Sequence, residues 1–239
     1  MIKLQGIIPA NHKVPILVIG AGGTGSHLIE NLAVLNDNMI KLDFPGIKVT
    51  VLDDDVVSKT NVGRQRFTFD DVGQNKALTL IDRVNYQYGF DWEAYPNRLA
   101  YHSSVQTPHY GFLISCVDSI TSRQIIMTLY KDVPAKIKGY NYWMDIGNGR
   151  DYGQIIMGSY EYKLPTFFDV FPSIESSNKL TDEEPTGCST MDAMLKQSLF
   201  INSIMALYAT NMLKEFLFNS FLNYSMMFIN INTFEINVK

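Results

Sequence analysis

The 239-residue chain has few cysteines and no excess of positive charge. Its two cysteines, Cys116 and Cys188, are far apart and cannot supply a four-cysteine metal site or a disulfide framework. Lysine and arginine total 20 against 24 acidic residues, a net charge of −4 that gives no electrostatic case for binding DNA or RNA directly. We therefore expect a reducing compartment and no nucleic acid ligand.

The sequence also lacks a long uninterrupted apolar run. Residues 1–15 contain no apolar core of secretory length, and the apolar stretch around Phe200 is broken by polar residues such as Asn202 and Lys214. These absences favour a cytoplasmic protein without a membrane partner. With 46% apolar residues the chain can bury a substantial core, and its even composition predicts one domain over residues 1–239.

The stretch ILVIGAGGTG at residues 16–25 is an apolar run that ends in closely spaced glycines, and a helix-compatible segment follows it. This order predicts a strand, a phosphate-binding loop and a helix, with G-x-G-x-x-G formed by Gly20, Gly22 and Gly25 and with Gly23 between them. Glycines permit close backbone approach, and the free N–H groups of a helix start favour phosphate oxygens. A nucleotide is the expected ligand; the alternative is a glycine-rich turn that binds nothing.

A second strand is predicted over residues 47–53, and it ends in the carboxylate of Asp53, where a ribose hydroxyl would be bound. An irregular segment follows and brings polar and cationic side chains close behind the glycine loop. Arginine and lysine there suit a triphosphate better than a nicotinamide dinucleotide, although a solvated surface loop would also carry such charges. The side chains concerned are Asn61, Arg64, Gln65, Arg66 and Lys76.

The rest of the chain alternates helical and strand patterns, which indicates an α/β protein with a Rossmann-like, doubly wound and mostly parallel sheet. A buried strand over residues 110–117 places Asp118 at its carboxyl end, where ligands of such sheets gather. Residues 161–187 read as a long functional loop. The other predicted elements are helices at 76–88, 119–130 and about 190–218, an edge strand at 92–99, strands at 141–146 and 154–160, and two short antiparallel strands at the end.

Four ordered motifs resemble the ThiF/MoeB superfamily, whose fold is shared with ubiquitin-activating enzymes. They are the acid at Asp53, T-N-V-G-R-Q at residues 60–65, V-G-Q-N-K at residues 72–76 and D-S-I-T-S-R at residues 118–123. Their order and spacing agree with the family pattern, apart from Ser119 in place of the usual asparagine. The resemblance extends over most of the chain and implies the ThiF/MoeB type of sheet, with residues 161–187 as its crossover loop.

The resemblance implies adenylation of the C-terminal carboxylate of a small ubiquitin-like (β-grasp) or sulfur-carrier protein, with ATP and Mg²⁺ as cofactors. It assigns the ribose to Asp53, the phosphates to Asn61, Arg64 and Lys76 and a wall of the site to Gln65. Asp118 is assigned to the magnesium ion. A carboxylate nucleophile needs no general base, so positioning and cations would carry the catalysis.

Cys188 follows the long loop and precedes the last helix, where the helix dipole can lower the pKa of a thiol. In relatives a cysteine at this point can take the acyl group as a thioester or persulfide; the alternative is a helix-start residue without chemistry. Cys116 ends a buried strand and is expected to pack inertly. A homodimer is expected from the family and from the long apolar helical segment, whose residues could instead fill the core of the monomer.

The chain also departs from the family in two ways. It cannot form the two C-x-x-C zinc pairs of many relatives, and residues 1–14 offer no arginine to a partner subunit. Its short C-terminal extension resembles ThiF proteins of bacterial PRTRC plasmid-type gene systems, which are encoded with E2-like partners.

Two other functions fit parts of the sequence. G-x-G-x-x-G with Asp53 is the whole case for an NAD-dependent oxidoreductase, and the missing arginine favours a non-catalytic nucleotide-binding interaction protein. A Ser-His-Asp hydrolase fails because none of the histidines has a triad context. These histidines are His12, His27, His102 and His109.

Overall fold

The computed structural model describes residues 2–3, 12–98, 111–132, 142–160, 162–175 and 197–239. Helices in this part of the chain are α1 (Gly23–Lys41), α2 (Lys76–Tyr88), α3 (Ile120–Asp132), α4 (Phe167–Val170), α5 (Pro172–Glu175) and α6 (Ile201–Asn219). The strands are β1 (Ile2–Lys3), β2 (Val14–Ile19), β3 (Ile47–Leu52), β4 (Glu93–Tyr95), β5 (Phe112–Ser115), β6 (Tyr142–Asn148), β7 (Tyr152–Gly158), β8 (Phe221–Leu222), β9 (Met226–Asn230) and β10 (Glu235–Val238).

An eight-stranded sheet in the order β10-β9-β7-β6-β5-β2-β3-β4 forms the centre of the fold. Strands β4, β3, β2, β5 and β6 run parallel, whereas β7, β9 and β10 join antiparallel. The fold is therefore the predicted α/β class with antiparallel C-terminal strands. After β2 the chain leads to β3 on one side and later to β5 on the other, so the strand order reverses between β2 and β5. Ligands of open α/β sheets bind outside the carboxyl ends of the strands at such a point.

Apolar residues cover both faces of β2, as expected for a central parallel strand. Ile16 and Val18 pack in the core that α1, α2 and α6 share, whereas Leu17 and Ile19 pack in a second core with α3 and α4. The alternation follows from the two-residue period of a strand. Because residues of α1 and α6 share one of these cores, the two helices lie on the same face of the sheet, beside the glycine loop.

Several predicted elements are confirmed with small shifts at their ends. Helix α2 spans Lys76–Tyr88 as predicted, because the Asn75 side chain accepts the N–H of Leu78 at its start and Gly89, with φ +69°, ends it. Strand β4 is an edge strand, as the nearby proline indicated. Residues 162–175 of the predicted long loop contain α4 and α5, and residues 176–187 lie outside the described residues.

The predicted start of the last helix is wrong, because α6 begins at Ile201 and residues 197–200 are not helical. Residues 190–196 lie outside the described residues. The apolar residues of α6 fill the core between the sheet and α1: Met205, Ala209, Met212, Leu213 and Phe216 are fully buried. This burial accounts for the apolar pattern of α6 within one chain. The predicted homodimer is therefore supported only by the family resemblance.

Among the described residues, no helix has the length and apolar character that crossing a bilayer requires.

Candidate nucleotide-binding site

The glycine loop joins β2 to α1 at the reversal point of the sheet. Gly20 has φ +97°, and a Cβ there would lie 2.7 Å from the carbonyl oxygen of Cys116. A Cβ on Gly25 would overlap the carbonyl oxygen of Gly20. Gly22 is the N-cap of α1 and makes no side-chain cap, and the first turn of α1 has no acidic residue. The loop therefore needs glycine at positions 20 and 25, and it leaves a helix start able to accept an anion.

Asp53 lies just beyond β3 and supports the glycine loop. Its Oδ2 accepts the N–H of Ala21 at 2.5 Å, and its Oδ1 accepts the N–H of Asp55 at 2.8 Å. Burial raises the pKa of Asp53, and the two backbone hydrogen bonds oppose that rise. The structure thus gives Asp53 a role in shaping the loop, which the sequence did not reveal, and ribose binding stays a prediction.

Lys76 begins α2 and points back to the end of β3. Its ammonium group lies 2.7 Å from Oδ2 of Asp55, and the lysine is buried while the side chain of Asp55 is 65% exposed. Asn75 donates through Nδ2 to the carbonyl oxygens of Asp53 and Asp55, at 2.9 and 3.1 Å. The start of α2 is therefore fixed to the strand end that carries Asp53, and Lys76 is held close to the site with its charge partnered.

Asn61 is buried and organises the segment that carries Arg64 and Gln65. Its Oδ1 accepts the N–H of Ser58 at 2.8 Å, and its carbonyl oxygen accepts the N–H groups of Arg64 and Gln65. The Oε1 atom of Gln65 is buried and has no hydrogen-bond partner among the described residues. A buried acceptor without a donor costs free energy, which makes Gln65 a candidate contact of a bound ligand.

Arg64 is half-buried and faces the start of the last helix. Its Nε donates to the carbonyl oxygen of Thr60 at 3.3 Å, and the residue borders a cavity of about 130 Å³. The other walls of this cavity are Gln197, Ser198, Leu199 and Asn202. The arginine therefore lies between the glycine-loop side of the sheet and the segment that leads into α6.

A polar cluster that the sequence analysis missed lies against the glycine loop. The hydroxyl of Thr24 is 3.0 Å from the side-chain oxygen of Asn148 and 3.0 Å from that of Asn202. Thr24 and Asn202 are buried, and they are 178 positions apart in the chain. The one sequence feature that could have indicated Asn202 is an amide within the apolar pattern of a helix.

Asp118 is exposed and lies three residues beyond β5, on the same edge of the sheet as the glycine loop and Asp53. Its carbonyl oxygen accepts a hydrogen bond from Nη1 of Arg123 at 3.1 Å. Arg123 in turn forms a buried ion pair with Asp145, with Nε 2.9 Å from Oδ2. The sequence pattern does not reveal the role of Asp145, because its place in β6 matters only once α3 packs beside that strand.

The acids Asp53, Asp54 and Asp55 place carboxylate oxygens within 4.8 Å of one another. Asp53 already accepts two backbone N–H groups, and Asp55 pairs with Lys76. Protein donors therefore satisfy much of this cluster. The carboxylate of Asp118 has no hydrogen-bond or ion-pair partner within the described ranges, and its role as a magnesium ligand stays a prediction.

Of the two cysteines, Cys116 lies within the described residues. The Cβ of Cys116 lies against the glycine loop, and burial raises the pKa of its thiol well above the ordinary range, which agrees with inert packing. Cys188 lies outside the described residues.

A model of the ThiF family matches residues 10–239, nearly the whole chain. The chain belongs to the ThiF family. The ThiF-family resemblance drawn from Asp53 and the three later motifs is thereby confirmed, and the PRTRC subgroup stays a prediction.

Solved structures show the same fold. The structure of E. coli MccB with ATP has a TM-score of 0.63 and 17% identity, and the match covers 95% of this chain and 63% of that one. PaaA matches with a TM-score of 0.62 and 16% identity over the same shares of the two chains. MccB with AMPCPP and MccA also matches, with a TM-score of 0.63, 17% identity and again 95% and 63% coverage. This ThiF-family chain thus spans about 63% of the length of these structures.

Proposed function

We propose that this ThiF-family protein uses ATP and Mg²⁺ to adenylate the C-terminal carboxylate of a small protein or peptide, with a ubiquitin-like (β-grasp) or sulfur-carrier protein as the preferred substrate. The observation that carries the proposal is the uncapped start of α1 at the reversal point of the sheet, with Lys76 held at the strand end that carries Asp53 and Arg64 lining the cavity that Asn202 also lines. A helix start that can accept an anion, together with two cations, suits a triphosphate.

The site residues fit ATP in chemical terms. The glycine loop offers backbone N–H groups to phosphate oxygens, and the unpartnered Oε1 of Gln65 can accept a hydrogen bond from a ligand amino group or hydroxyl. Asp118 offers the oxygen ligand that Mg²⁺ prefers, and the ion when bound would neutralise charge on the phosphates. The residues present are therefore consistent with both cofactors.

The proposed reaction needs no proton acceptor on the enzyme. A carboxylate oxygen of the substrate attacks the α-phosphorus, the α–β phosphoanhydride bond breaks, and pyrophosphate leaves with the electron pair. Arg64 and Lys76 would neutralise the charge that develops on the leaving group. Lys76 would have to exchange Asp55 for a phosphate oxygen, and the high exposure of the Asp55 side chain favours that exchange.

The substrate class is supported by similarity in fold. MccB, which shares the fold, was solved together with MccA and a nucleotide analogue. A polypeptide with a free C-terminal carboxylate is the corresponding substrate here, and an E2-like protein is the expected later acceptor. A pull-down with mass spectrometry should recover a small protein of this kind.

Calorimetry with ATP and with NAD, each with and without Mg²⁺, tests the cofactor assignment. We expect ATP to bind and to require Mg²⁺ for full affinity, while NAD binds poorly. Asp118→Asn should then shift the magnesium titration to higher concentration. NAD binding without ATP binding would favour the oxidoreductase, and ATP binding without substrate adenylation would favour a non-catalytic interaction protein.

We also propose that Cys188 takes the acyl group from the adenylate as a thioester: its sulfur forms a bond to the acyl carbon, and AMP leaves. The proposal rests on its place after the crossover loop in a ThiF-family chain. Incubation with ATP and the substrate protein should give a thiol-labile adduct on a non-reducing gel. An adduct that persists in Cys188→Ser, or transfer to the acceptor with no adduct, would contradict this role.

A further inference from the structure

In the first turn of α6, the side chain of Asn202 contacts the glycine loop. This residue is only 5% exposed, its Oδ1 lies 3.0 Å from the hydroxyl of Thr24, and its Nδ2 donates to Oε1 of Gln197 at 3.3 Å. Thr24 lies in the first turn of α1, next to Gly23. The Asn202 amide therefore links the start of the last helix to the start of the first.

The Asn202 side chain and Gly23 also fit each other in size. A Cβ added to Gly23 would lie 2.9 Å from each of Cγ, Nδ2 and Oδ1 of Asn202, a distance that Cβ atoms essentially never show. By contrast, a Cβ on Gly22 would have no atom of the described residues within 4 Å. Glycine at position 23 therefore makes room for the Asn202 side chain, whose amide lies directly against the loop.

The residues just before α6 are anchored on their other side. The N–H of Ser198 donates to the carbonyl oxygen of Arg150 at 3.0 Å, in the turn between β6 and β7. Leu199 and Asn202 border the cavity that Arg64 also borders. Residues 197–202 thus bridge the β6–β7 turn, the Arg64 side chain and the glycine loop, and they directly follow the chain segment that contains Cys188.

We propose that Asn202 is a positioning residue of the nucleotide site. It holds Gly23 and Thr24 in the geometry that binds phosphate, and it couples residues 197–202 to nucleotide occupancy. The inference rests on the proposed function, because it takes ATP as the ligand of the loop. A residue that only packs the core would contribute to folding stability and leave the affinity of the folded protein for ATP unchanged.

The first experiment compares Asn202→Ala with Asn211→Ala, an exposed asparagine on the same helix. Calorimetry with MgATP should show about tenfold weaker binding for Asn202→Ala, which is the loss expected from one hydrogen bond, and binding within about twofold of the parent for Asn211→Ala. Equal binding by the parent and Asn202→Ala overturns the inference alone. No MgATP binding by the parent protein instead contradicts the proposed function.

A size exchange separates positioning from packing. Gly23→Ala should weaken MgATP binding because its methyl group displaces the amide of Asn202, and the double variant Gly23→Ala with Asn202→Ala should bind more tightly than Gly23→Ala alone. If the two substitutions acted independently, their fold-losses of MgATP affinity would instead multiply. A double variant that binds more weakly than either single variant therefore overturns the inference.

A third comparison applies if Asn202→Ala does not fold. Thr24→Val removes the hydroxyl that contacts Asn202 and keeps the shape of the side chain, whereas Thr24→Ser keeps the hydroxyl. Hydrogen exchange should show that MgATP raises the protection of backbone amides over residues 198–204 in the parent and in Thr24→Ser, and less in Thr24→Val. The same MgATP-dependent protection in all three proteins overturns the coupling.

Discussion

The carboxylate of Asp53 accepts the backbone N–H of Ala21 at 2.5 Å, so the end of β3 directly holds the glycine loop that follows β2. The other carboxylate oxygen accepts the N–H of Asp55. Hydrogen bonds from backbone N–H groups to a charged carboxylate are about twice as strong as neutral ones. The acid that the family pattern assigns to the ribose therefore also maintains the shape of the phosphate-binding loop.

Asp53→Asn replaces one acceptor oxygen by an NH₂ group that faces a backbone N–H. We expect the free energy of unfolding to fall by about 1–3 kcal/mol and MgATP binding to weaken with it. Denaturant unfolding and calorimetry measure the two effects. Asp54→Asn, an exposed neighbour, is the matched control and should change neither. Equal behaviour of the two variants would contradict the role of Asp53 in the loop.

Arg64 and Arg66 provide a second matched pair. Arg64 borders the cavity that Asn202 also borders, whereas Arg66 is exposed and pairs with Glu30 at 2.9 Å. Loss of a charge-assisted hydrogen bond to a phosphate should weaken MgATP binding by roughly 10- to 100-fold in Arg64→Ala. Arg66→Ala removes a surface ion pair and should leave calorimetric affinity nearly unchanged. An effect of Arg66→Ala as large as that of Arg64→Ala would point to general electrostatic attraction.

Gln65→Leu should separate stability from ligand binding. The buried Oε1 of Gln65 has no partner among the described residues, so its removal should leave the free energy of unfolding unchanged or raise it by about 1 kcal/mol. MgATP binding should weaken at the same time, because a ligand group loses its acceptor. A variant that loses stability and keeps its affinity would show that Gln65 serves the fold.

His27 in α1 should make stability depend on pH. Burial and then the nearby charge of Arg66 lower the pKa of His27 below its ordinary value of 6.5, although a hydrogen bond with the backbone of Arg64 opposes this. The unfolded chain therefore binds a proton more readily, and the fold loses stability as pH falls through 6.5 towards the lowered pKa. Denaturant unfolding at pH values from above 6.5 downwards should show a smaller loss in the free energy of unfolding for His27→Gln than for the parent protein. Parallel curves for the parent and the variant would contradict this assignment.

Asp145→Ala should destabilise the fold strongly because it leaves the charge of Arg123 buried without its partner. Removing one member of a buried ion pair typically costs about 3–5 kcal/mol. Asp91→Ala breaks exposed contacts with Lys13 and Lys48 and should cost less than about 1 kcal/mol. Chemical denaturation compares the free energies of unfolding of the two variants. Similar losses of stability would show that the ion pair between Asp145 and Arg123 does not stabilise the fold more than the surface contacts of Asp91.

The sequence determined the features that depend on local chemistry. A strand followed by a glycine-rich turn and a helix could be predicted from residues 16–25, because only glycine tolerates the φ of +97° at Gly20 and the close approach at Gly25. Helix α2 could be predicted to the residue, since Asn75 caps its start and Gly89 ends it. Asp53 could be placed directly after a strand because the apolar pattern shows where that strand ends.

Tertiary structure alone decided which distant residues meet. The contact of Thr24 with Asn202 joins residues 178 positions apart, and its partners depend on the path by which α6 returns to α1. Asp145 becomes the partner of Arg123 only when α3 packs beside β6. Helical spacing could show that α6 has apolar residues, but it could not distinguish a core from a dimer surface, because both bury the same side chains. Periodicity is a property of the local chain, whereas burial depends on what the fold places against it.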